Sequence, residues 1–197
     1  MVSRKKSKKS KKFIVIFIFL LFFGLSIFIG VKLLNIVYPL KYVELVQRYS
    51  AKYDVDVVLV HSVINAESRY RYQAKSNKGA SGLMQLMETT ADWGAEEIGL
   101  LDYSYSRIFE PTINIELGCW YLGKLLRQYD NDHTLTLAAY NAGSGNVSKW
   151  LADKNYSSDG ITLKYIPFLE TRNYIKKIEH YMKVYEVLLK ISKAFTF

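Results

Sequence analysis

The sequence predicts a mainly helical protein in which one domain follows a single membrane-spanning helix near the N-terminus. Apolar residues recur at intervals of three and four along most segments, which is the spacing of one helix face. No segment of convincing length shows the alternation of a half-buried strand. Positions 13–31 form a run of 19 residues without a charge. With 197 residues, 50% of them hydrophobic, the chain is long enough for one domain with a sizeable core.

The N-terminal end is interpreted as a basic cytoplasmic tail, 1–12, followed by a transmembrane signal-anchor, 13–37. A helix over the uncharged run rises ~28 Å, about the thickness of a hydrocarbon core. A cleaved secretory signal peptide is the alternative, but its apolar region is usually shorter and no A-x-A-like site follows here. Because the basic cluster precedes the span, we expect a cytoplasmic N-terminus and an extracytoplasmic domain over 38–197.

The net charge of +9 belongs mostly to the tail. Seven of the 27 Lys and Arg residues lie within 4–12, which leaves 20 basic against 18 acidic residues in the rest. The domain is therefore not a nucleic-acid binder by charge, and its expected contact with lipid is the N-terminal helix alone. The single cysteine, Cys119, lies in an apolar helical segment and is predicted to be a buried small hydrophobe rather than a nucleophile.

Helices account for most of the domain in the order of the chain. The valine-rich segment at 55–60 could instead form a buried strand, since valine is a poor helix former. Asp54 or Asp56 can cap the helix that follows, Pro111 opens a later one, and the polar, Gly/Ser-rich stretch 152–165 is the best candidate for a mobile loop. The predicted helices cover 42–52, 57–68, 83–93, a short stretch within 94–105, 111–129, 134–140, 147–151 and a last helix that includes 174–188.

Glu67 is the candidate for chemistry. On the helical interpretation Val60, Ile64 and Glu67 share one face, so an apolar helix ends in a carboxylate. The glycine-containing loop 79–82 follows and can approach a ligand through its backbone. A carboxyl group that is poorly hydrated in such a place has a raised pKa, as a general acid requires. A solvated glutamate at a helix end is the ordinary alternative.

Other chemistries receive little support from the sequence. The histidines, His61, His133 and His180, lie on three separate segments without the spacing of metal ligands, so no metal or other cofactor is expected. Amide and hydroxyl groups recur at the ends of segments, which suits a neutral ligand such as a sugar polymer. These groups belong to Ser76, Gln85, Tyr140 and Asn141, and a second carboxylate, Glu170, also lies beside apolar residues.

Four blocks resemble, in order, those of the lysozyme-like lytic transglycosylases of bacterial cell walls, the soluble lytic transglycosylase (SLT) type. The first is E-S at 67–68 with A-x-S-x-x-G-A-x-G-L-M-Q-L-M at 74–87. The others are P-x-x-N-I-x-L-G-x-x-Y-L at 111–122, A-A-Y-N-A-G-x-G-x-V at 138–147 and I-P-x-x-E-T-x-x-Y at 166–174. Tyr72 and Glu88 stand where the family often has proline, and Glu110 stands where it has aspartate.

The resemblance implies a fold related to lysozyme and a peptidoglycan substrate. It implies cleavage of the β-1,4 bond between N-acetylmuramic acid and N-acetylglucosamine, with a 1,6-anhydro product and Glu67 as the catalytic acid/base. Glu170 would have a supporting role near the cleft, unless an ion pair with Arg172 makes it structural. The residues that the resemblance places around the sugar are Ser76, Gln85, Met87, Tyr140 and Asn141.

Two other functions stay open at this point. The first is a catalytically weak module that binds peptidoglycan, or acts as a scaffold, in an envelope machine. The second is a hydrolytic muramidase, which needs a second carboxylate. Asp92, Asp102 and Glu170 are the plausible partners for that second role, and protein partners are not predicted.

Overall fold

The structure is a computed structural model that describes residues 3–195. It divides after Pro39 into two compact units. The N-terminal unit is a single helix, α1 (Ser3–Val37), and its stretch from Lys12 to Val37 is long and apolar enough to cross a membrane. The apolar side chains of that stretch are exposed rather than packed against protein. The side chains of the basic tail up to position 11 lie outside the part of the chain that the structure describes.

The second unit is helical, and across residues 3–195 the only β-type pairings are isolated bridges that join Lys75, Ser81 and Leu86. A short 3₁₀ helix, Tyr105–Phe109, precedes the longest internal helix. The α-helices are α2 (Val43–Tyr53), α3 (Val57–Ser68), α4 (Glu88–Glu97), α5 (Pro111–Gln128), α6 (His133–Ala142), α7 (Ser144–Ala152) and α8 (Leu169–Phe195).

A capping aspartate or a proline stands at the start of three predicted helices, whereas α7 begins at Ser144, three residues before the predicted start at 147. The Asp56 carboxylate accepts a hydrogen bond of 2.7 Å from the Val58 amide and starts α3, so the alternative of a strand at 55–60 is wrong. Pro111 stands in the first turn of α5, where its missing N–H costs nothing. The Asp132 carboxylate accepts from the Leu135 amide and starts α6.

The predicted helix at 83–93 is wrong over its first five residues. Positions 83–85 form a turn, Leu86 makes an isolated bridge with Ser81, and α4 begins at Glu88 and continues to Glu97. Gln85 has a left-handed backbone with a φ of 49°, which no right-handed helix accommodates. Leu83, Met84 and Leu86 are buried nonetheless, so this apolar run fills the core as a loop.

Helix α3 is buried on almost every side, which explains how a valine-rich segment is held as a helix. It packs against α8 and, less extensively, against α2. Val60, Val63 and Ile64 have no exposed surface. Helix α5 contacts α2, α4 and α6, and Cys119 on it is buried as predicted; burial raises the pKa of its thiol well above the ordinary value.

Asn114 on α5 fixes the loop that the helix prediction missed. Its side-chain oxygen accepts a hydrogen bond of 2.7 Å from the Met84 amide, and its side-chain nitrogen donates to the carbonyl oxygens of Ser81 and Ile108. Gly82 lies against this side chain with a φ of +81°, and a Cβ there would overlap the Asn114 amide. The glycine and the asparagine therefore form one interlocked unit.

The connection from α7 to α8 contains the stretch predicted to be a mobile loop. It is not helical, but the carboxylate of Asp159 accepts hydrogen bonds from the amides of Ile161 and Thr162 and from the hydroxyl of Ser157. Ser157 is buried. These bonds give the loop a defined turn, and its mobility stays a prediction.

Replacing Asn114 by alanine should lower the free energy of unfolding by roughly 3 kcal/mol or more, because three buried backbone groups each lose a partner worth about 1–3 kcal/mol. Urea unfolding of the full chain in detergent micelles, followed by tryptophan fluorescence, measures this. The matched control is Asn155→Ala at an exposed position, where we expect a change within about 0.5 kcal/mol. Equal effects of the two substitutions would contradict the role given to Asn114.

Candidate active site

The C-terminal end of α3 forms one wall of a cleft, and the loop that follows it forms another. The cleft has a volume of about 800 Å³, within the usual range of ligand sites, about 300–1,000 Å³. Three of the predicted site residues, Glu67, Ser76 and Gln85, line it. The lining residues are Lys41, Tyr42, Glu67, Tyr70, Arg71, Tyr72, Gln73, Ala74, Lys75, Ser76 and Gln85.

Glu67 lies in the last turn of α3 with its side chain only partly exposed. Burial raises the pKa of Glu67 from an ordinary 4.5 to about 7. The neighbouring Tyr174 hydroxyl and the positive charge of Lys177 act in the opposite direction, and the charge of Glu170 adds a further rise. The carboxyl group can therefore both donate and accept a proton near neutral pH.

Tyr174 and Lys177 are site residues that sequence reasoning did not assign. Both lie on α8, and Tyr174 is buried with its hydroxyl against the Glu67 carboxylate. The Lys177 ammonium donates a hydrogen bond of 2.8 Å to the carbonyl oxygen of Ala66, the residue before Glu67. The signal in the sequence for Tyr174 is its position at the end of the fourth block, whereas Lys177 lies outside the four blocks.

Gln85 and Ser76 join the two sides of the loop that faces Glu67. The side-chain nitrogen of Gln85 donates to the carbonyl oxygens of Ala74 and Gly82, at 3.1 and 2.9 Å. The Ser76 hydroxyl accepts a hydrogen bond of 3.0 Å from the Ala80 amide, which uses its oxygen and leaves its O–H as a donor for a ligand. Both groups are thus held in place by the loop itself.

Tyr140 lies close to Glu67 although it is not among the residues that line the cleft. Burial raises the pKa of its phenol well above the ordinary value, and the neighbouring charge of Glu67 raises it further. Its hydroxyl donates a hydrogen bond of 2.8 Å to the Met84 carbonyl oxygen, and its ring packs against Tyr121. Tyr140 therefore connects α6 to the 83–87 loop beside the carboxyl group.

Asn141 and Met87 lie outside the lining of the cleft that contains Glu67. The Asn141 side-chain oxygen accepts a hydrogen bond of 2.8 Å from the Thr171 hydroxyl, which ties α6 to the first turn of α8. Met87 is the residue that precedes α4, and 44% of its surface is exposed. Neither residue lines the cleft around Glu67.

Glu170 is exposed at the start of α8, and its partner is not the one that the sequence suggested. Its carboxylate pairs with the Lys78 ammonium at 3.7 Å, with both side chains largely exposed. The Arg172 guanidinium instead donates to the carbonyl oxygens of Ile166 and Pro167 and to the Tyr165 hydroxyl. The interpretation of Glu170 as a structural partner of Arg172 is therefore wrong.

The histidine closest to Glu67 along the chain is part of the core. His61 is fully buried on α3, with its Nδ1 in hydrogen-bond contact with the hydroxyl of Tyr70, a residue that also lines the cleft. Burial lowers the pKa of His61 to about 4, so its imidazole is neutral at physiological pH. Among the described residues, no group of three or more His, Cys, Asp or Glu is placed to hold a metal ion.

Comparison with known proteins identifies the family of the chain. The family described as "Transglycosylase SLT domain" matches residues 44–162, and the chain belongs to this family. The soluble lytic murein transglycosylase of Salmonella typhimurium is 34% identical over 165 residues, which are 79% of this chain and 26% of that protein. The membrane-bound lytic murein transglycosylase C of Edwardsiella ictaluri is 30% identical, over 74% of this chain and 46% of that protein.

Solved structures confirm the predicted fold class. An inactive mutant of the lytic transglycosylase Slt from Pseudomonas aeruginosa superimposes with a TM-score of 0.70 at 30% identity, over 80% of this chain and 26% of that one. The 70 kDa soluble lytic transglycosylase of Escherichia coli superimposes with a TM-score of 0.68 at 31% identity, over 77% of this chain and 25% of that one. The chain thus spans about a quarter of the length of these soluble relatives.

The raised pKa of Glu67 predicts a dependence of stability on pH. The unfolded carboxyl has a pKa near 4.5 and the folded one near 7, so the folded state binds more protons between these values and loses stability as the pH rises through them. Glu67→Gln removes this cost and should stabilise the chain at pH 8 relative to the wild type, by at most ~3 kcal/mol, with a much smaller gain at pH 4.

Urea unfolding at pH 4 and pH 8 measures the two differences. Glu96→Gln, at an exposed position on α4, is the control that should show no such growth with pH. A Glu67→Gln difference that is the same at both pH values would contradict the assigned pKa.

Proposed function

We propose that the domain is a peptidoglycan lytic transglycosylase that cleaves the MurNAc-β-1,4-GlcNAc bond without water. The observation that carries this proposal is the single carboxyl group of the cleft, Glu67, with a pKa near 7 in a chain of the SLT family. No other Asp or Glu is among the residues that line the cleft. A carboxyl group with this pKa serves equally well as an acid and as a base at neutral pH.

In the first step, protonated Glu67 donates its proton to the glycosidic oxygen. The bond from that oxygen to C1 of N-acetylmuramic acid breaks, and N-acetylglucosamine leaves as an alcohol. The positive charge that develops on the muramyl ring is stabilised by its own acetamido oxygen. Glu67 is left as a carboxylate, which the Tyr174 hydroxyl and the Lys177 charge stabilise.

In the second step, the 6-hydroxyl of the muramyl residue attacks C1 and forms the 1,6-anhydro ring. Its proton returns to Glu67, so the carboxyl group ends the cycle as it began. The substrate supplies the nucleophile, and no second carboxylate is needed. The restricted hydration that raises the pKa of Glu67 also keeps water from competing for C1.

The alternative of a hydrolytic muramidase requires a second carboxylate at a suitable distance. Asp92 lies on α4 and lines a separate pocket, away from the residues around Glu67. Asp102 lies in a turn, and its backbone carbonyl oxygen accepts a hydrogen bond from the Arg107 guanidinium. Glu170 is exposed and paired with Lys78. This arrangement favours the lyase over the hydrolase.

We assign the remaining predicted site residues to sugar binding. Ser76 and Gln85 are placed on the cleft wall, where their polar groups suit the hydroxyl and acetamido groups of the substrate. Tyr140 lies beside Glu67, Asn141 follows it on α6, and Met87 is partly exposed before α4; we assign these three residues to the sugar through the family resemblance. Glu170 is exposed and paired with Lys78, and its charge acts on Glu67, so we give it a supporting role.

Glu67→Gln should keep the fold and lose turnover by about 10²–10⁴-fold or more, since a glutamine cannot transfer the proton. Digestion of purified peptidoglycan by the full chain in detergent micelles, with mass analysis of the released muropeptides, measures this. The wild type and the Glu96→Gln control should release 1,6-anhydro products at equal rates.

Reducing-end products from the wild type would instead identify a muramidase. Binding to peptidoglycan without any release, by the wild type and by Glu67→Gln alike, would identify a binding or scaffold module.

We further propose that α1 anchors the domain in the membrane, with tail 1–12 in the cytoplasm, segment 13–37 across the bilayer and domain 38–197 facing the cell wall. The apolar helix, the basic residues before it and the membrane-bound relatives support this arrangement. Anchoring would confine the cleft to the layer of wall nearest the membrane.

This topology predicts that protease added to spheroplasts degrades the domain but spares the tail. An epitope placed before position 13 should be protected, and one placed after position 190 should be accessible. Mass measurement of the mature protein should still find residues 13–37. A protected domain contradicts the orientation, and a mature chain that begins after position 31 contradicts the anchor.

A further inference from the structure

The charge of the cleft is not explained by a neutral sugar. Three basic residues line it, Lys41, Arg71 and Lys75, and the only acidic residue among the lining is Glu67. All three basic residues are exposed to solvent. The rest of the domain has almost balanced charge, so this is a local excess. Positive charges gathered at one wall raise the local concentration of anionic ligands.

Arg71 is held close to the proposed proton donor. Its Nε donates a hydrogen bond of 3.1 Å to the carbonyl oxygen of Ser68, the residue after Glu67. Anchoring through Nε leaves the two terminal nitrogens of the guanidinium as donors, and this fork matches a carboxylate or a phosphate. An arginine in this position offers an anion a fixed partner rather than a mobile one.

Lys75 and Lys41 extend the same wall. The backbone of Lys75 is fixed by a bridge to Ser81, which places it beside Ser76 on the loop. Lys41 precedes Tyr42, whose left-handed backbone (φ of 56°) turns the chain into α2. Lys78, by contrast, is already paired with Glu170 and is not among the residues lining the cleft. The three lining cations therefore form a group of their own.

The glycan backbone of peptidoglycan offers hydroxyl and amide groups, which Ser76 and Gln85 suit. Its negative charges lie on substituents of the muramyl residue. These are the carboxylates of the stem peptide, or the phosphodiesters of a polymer attached to the strand. Both are anions that an arginine fork and two ammonium groups would bind.

We propose that Lys41, Arg71 and Lys75 bind an anionic substituent of the murein strand, so that the enzyme selects substituted over uncharged strands. This inference rests on the proposed function and names the substrate class of the same cleft. Every muramyl residue can carry a stem peptide, so its carboxylate is the expected source of the negative charge. The experiment below distinguishes it from a phosphodiester.

The test compares matched substrates with the full chain in detergent micelles. Glycan oligomers carry stem peptides whose carboxylates are either free or amidated, so that size is kept and charge is removed. Sacculi with and without the phosphodiester polymer form the second pair. The double variant Arg71→Gln/Lys75→Gln is compared with the wild type. The control is Lys149→Gln/Lys183→Gln, which removes the same charge from exposed positions elsewhere.

We expect the wild type to cleave the free-carboxylate oligomer with a kcat/KM about tenfold above that of the amidated one, mainly through KM, because roughly 1.4 kcal/mol of binding corresponds to tenfold. The double variant should cleave the free-carboxylate and the amidated oligomer with equal kcat/KM. The control should keep the preference, and added salt should weaken it in the wild type.

Each other outcome has a defined meaning. Cleavage of both oligomers at one rate, with no effect of the polymer, overturns this inference and leaves the proposed function intact. A preference that survives in the double variant also overturns it. A preference seen only between the two kinds of sacculi supports the anion site and assigns it to the phosphodiester. Cleavage of none of the substrates by the wild type removes the proposed function itself.

Discussion

The packing of α3 against α8 is the constraint on which the site depends. It buries the valine-rich α3 and brings the start of α8 against the carboxyl group at the end of α3. Tyr174 and Lys177 then replace part of the water that Glu67 would have in solution. Because two neighbouring groups substitute for bulk solvent, the carboxyl group keeps a pKa near 7 rather than a much higher one.

A second interlock holds the opposite side of the cleft. The Asn114 side chain on α5 forms hydrogen bonds with backbone groups of the 81–84 loop, and Gly82, which has no side chain, leaves room for this contact. The same loop carries Gln85, whose side chain ties it to Ala74. The cleft thus lies between the packed helices α3 and α8 and a loop that Asn114 holds in place. Such support suits a site that would hold a polymer in one register.

The proposed chemistry uses these two supports differently. The helix pair tunes one proton carrier, and the loop presents neutral polar groups to the sugar. The basic residues at the wall add a long-range attraction that neither support supplies, and they belong to recognition rather than to bond cleavage. In the proposed reaction a single carboxyl group is sufficient because the substrate contains its own nucleophile, so the site needs shape and restricted hydration more than a second acid.

The sequence by itself determined the helical class, the starts of α3 and α5 and the position of Glu67 at the end of an apolar helix, because periodicity and capping are local properties of the chain. It failed at 83–87, where Asn114 and a left-handed Gln85 turn an apolar run into a loop. Only the tertiary structure decided that Tyr174 and Lys177 meet Glu67, and that Glu170 pairs with Lys78. Those contacts join residues about a hundred positions apart, and burial, which sets the pKa, exists only once they have formed.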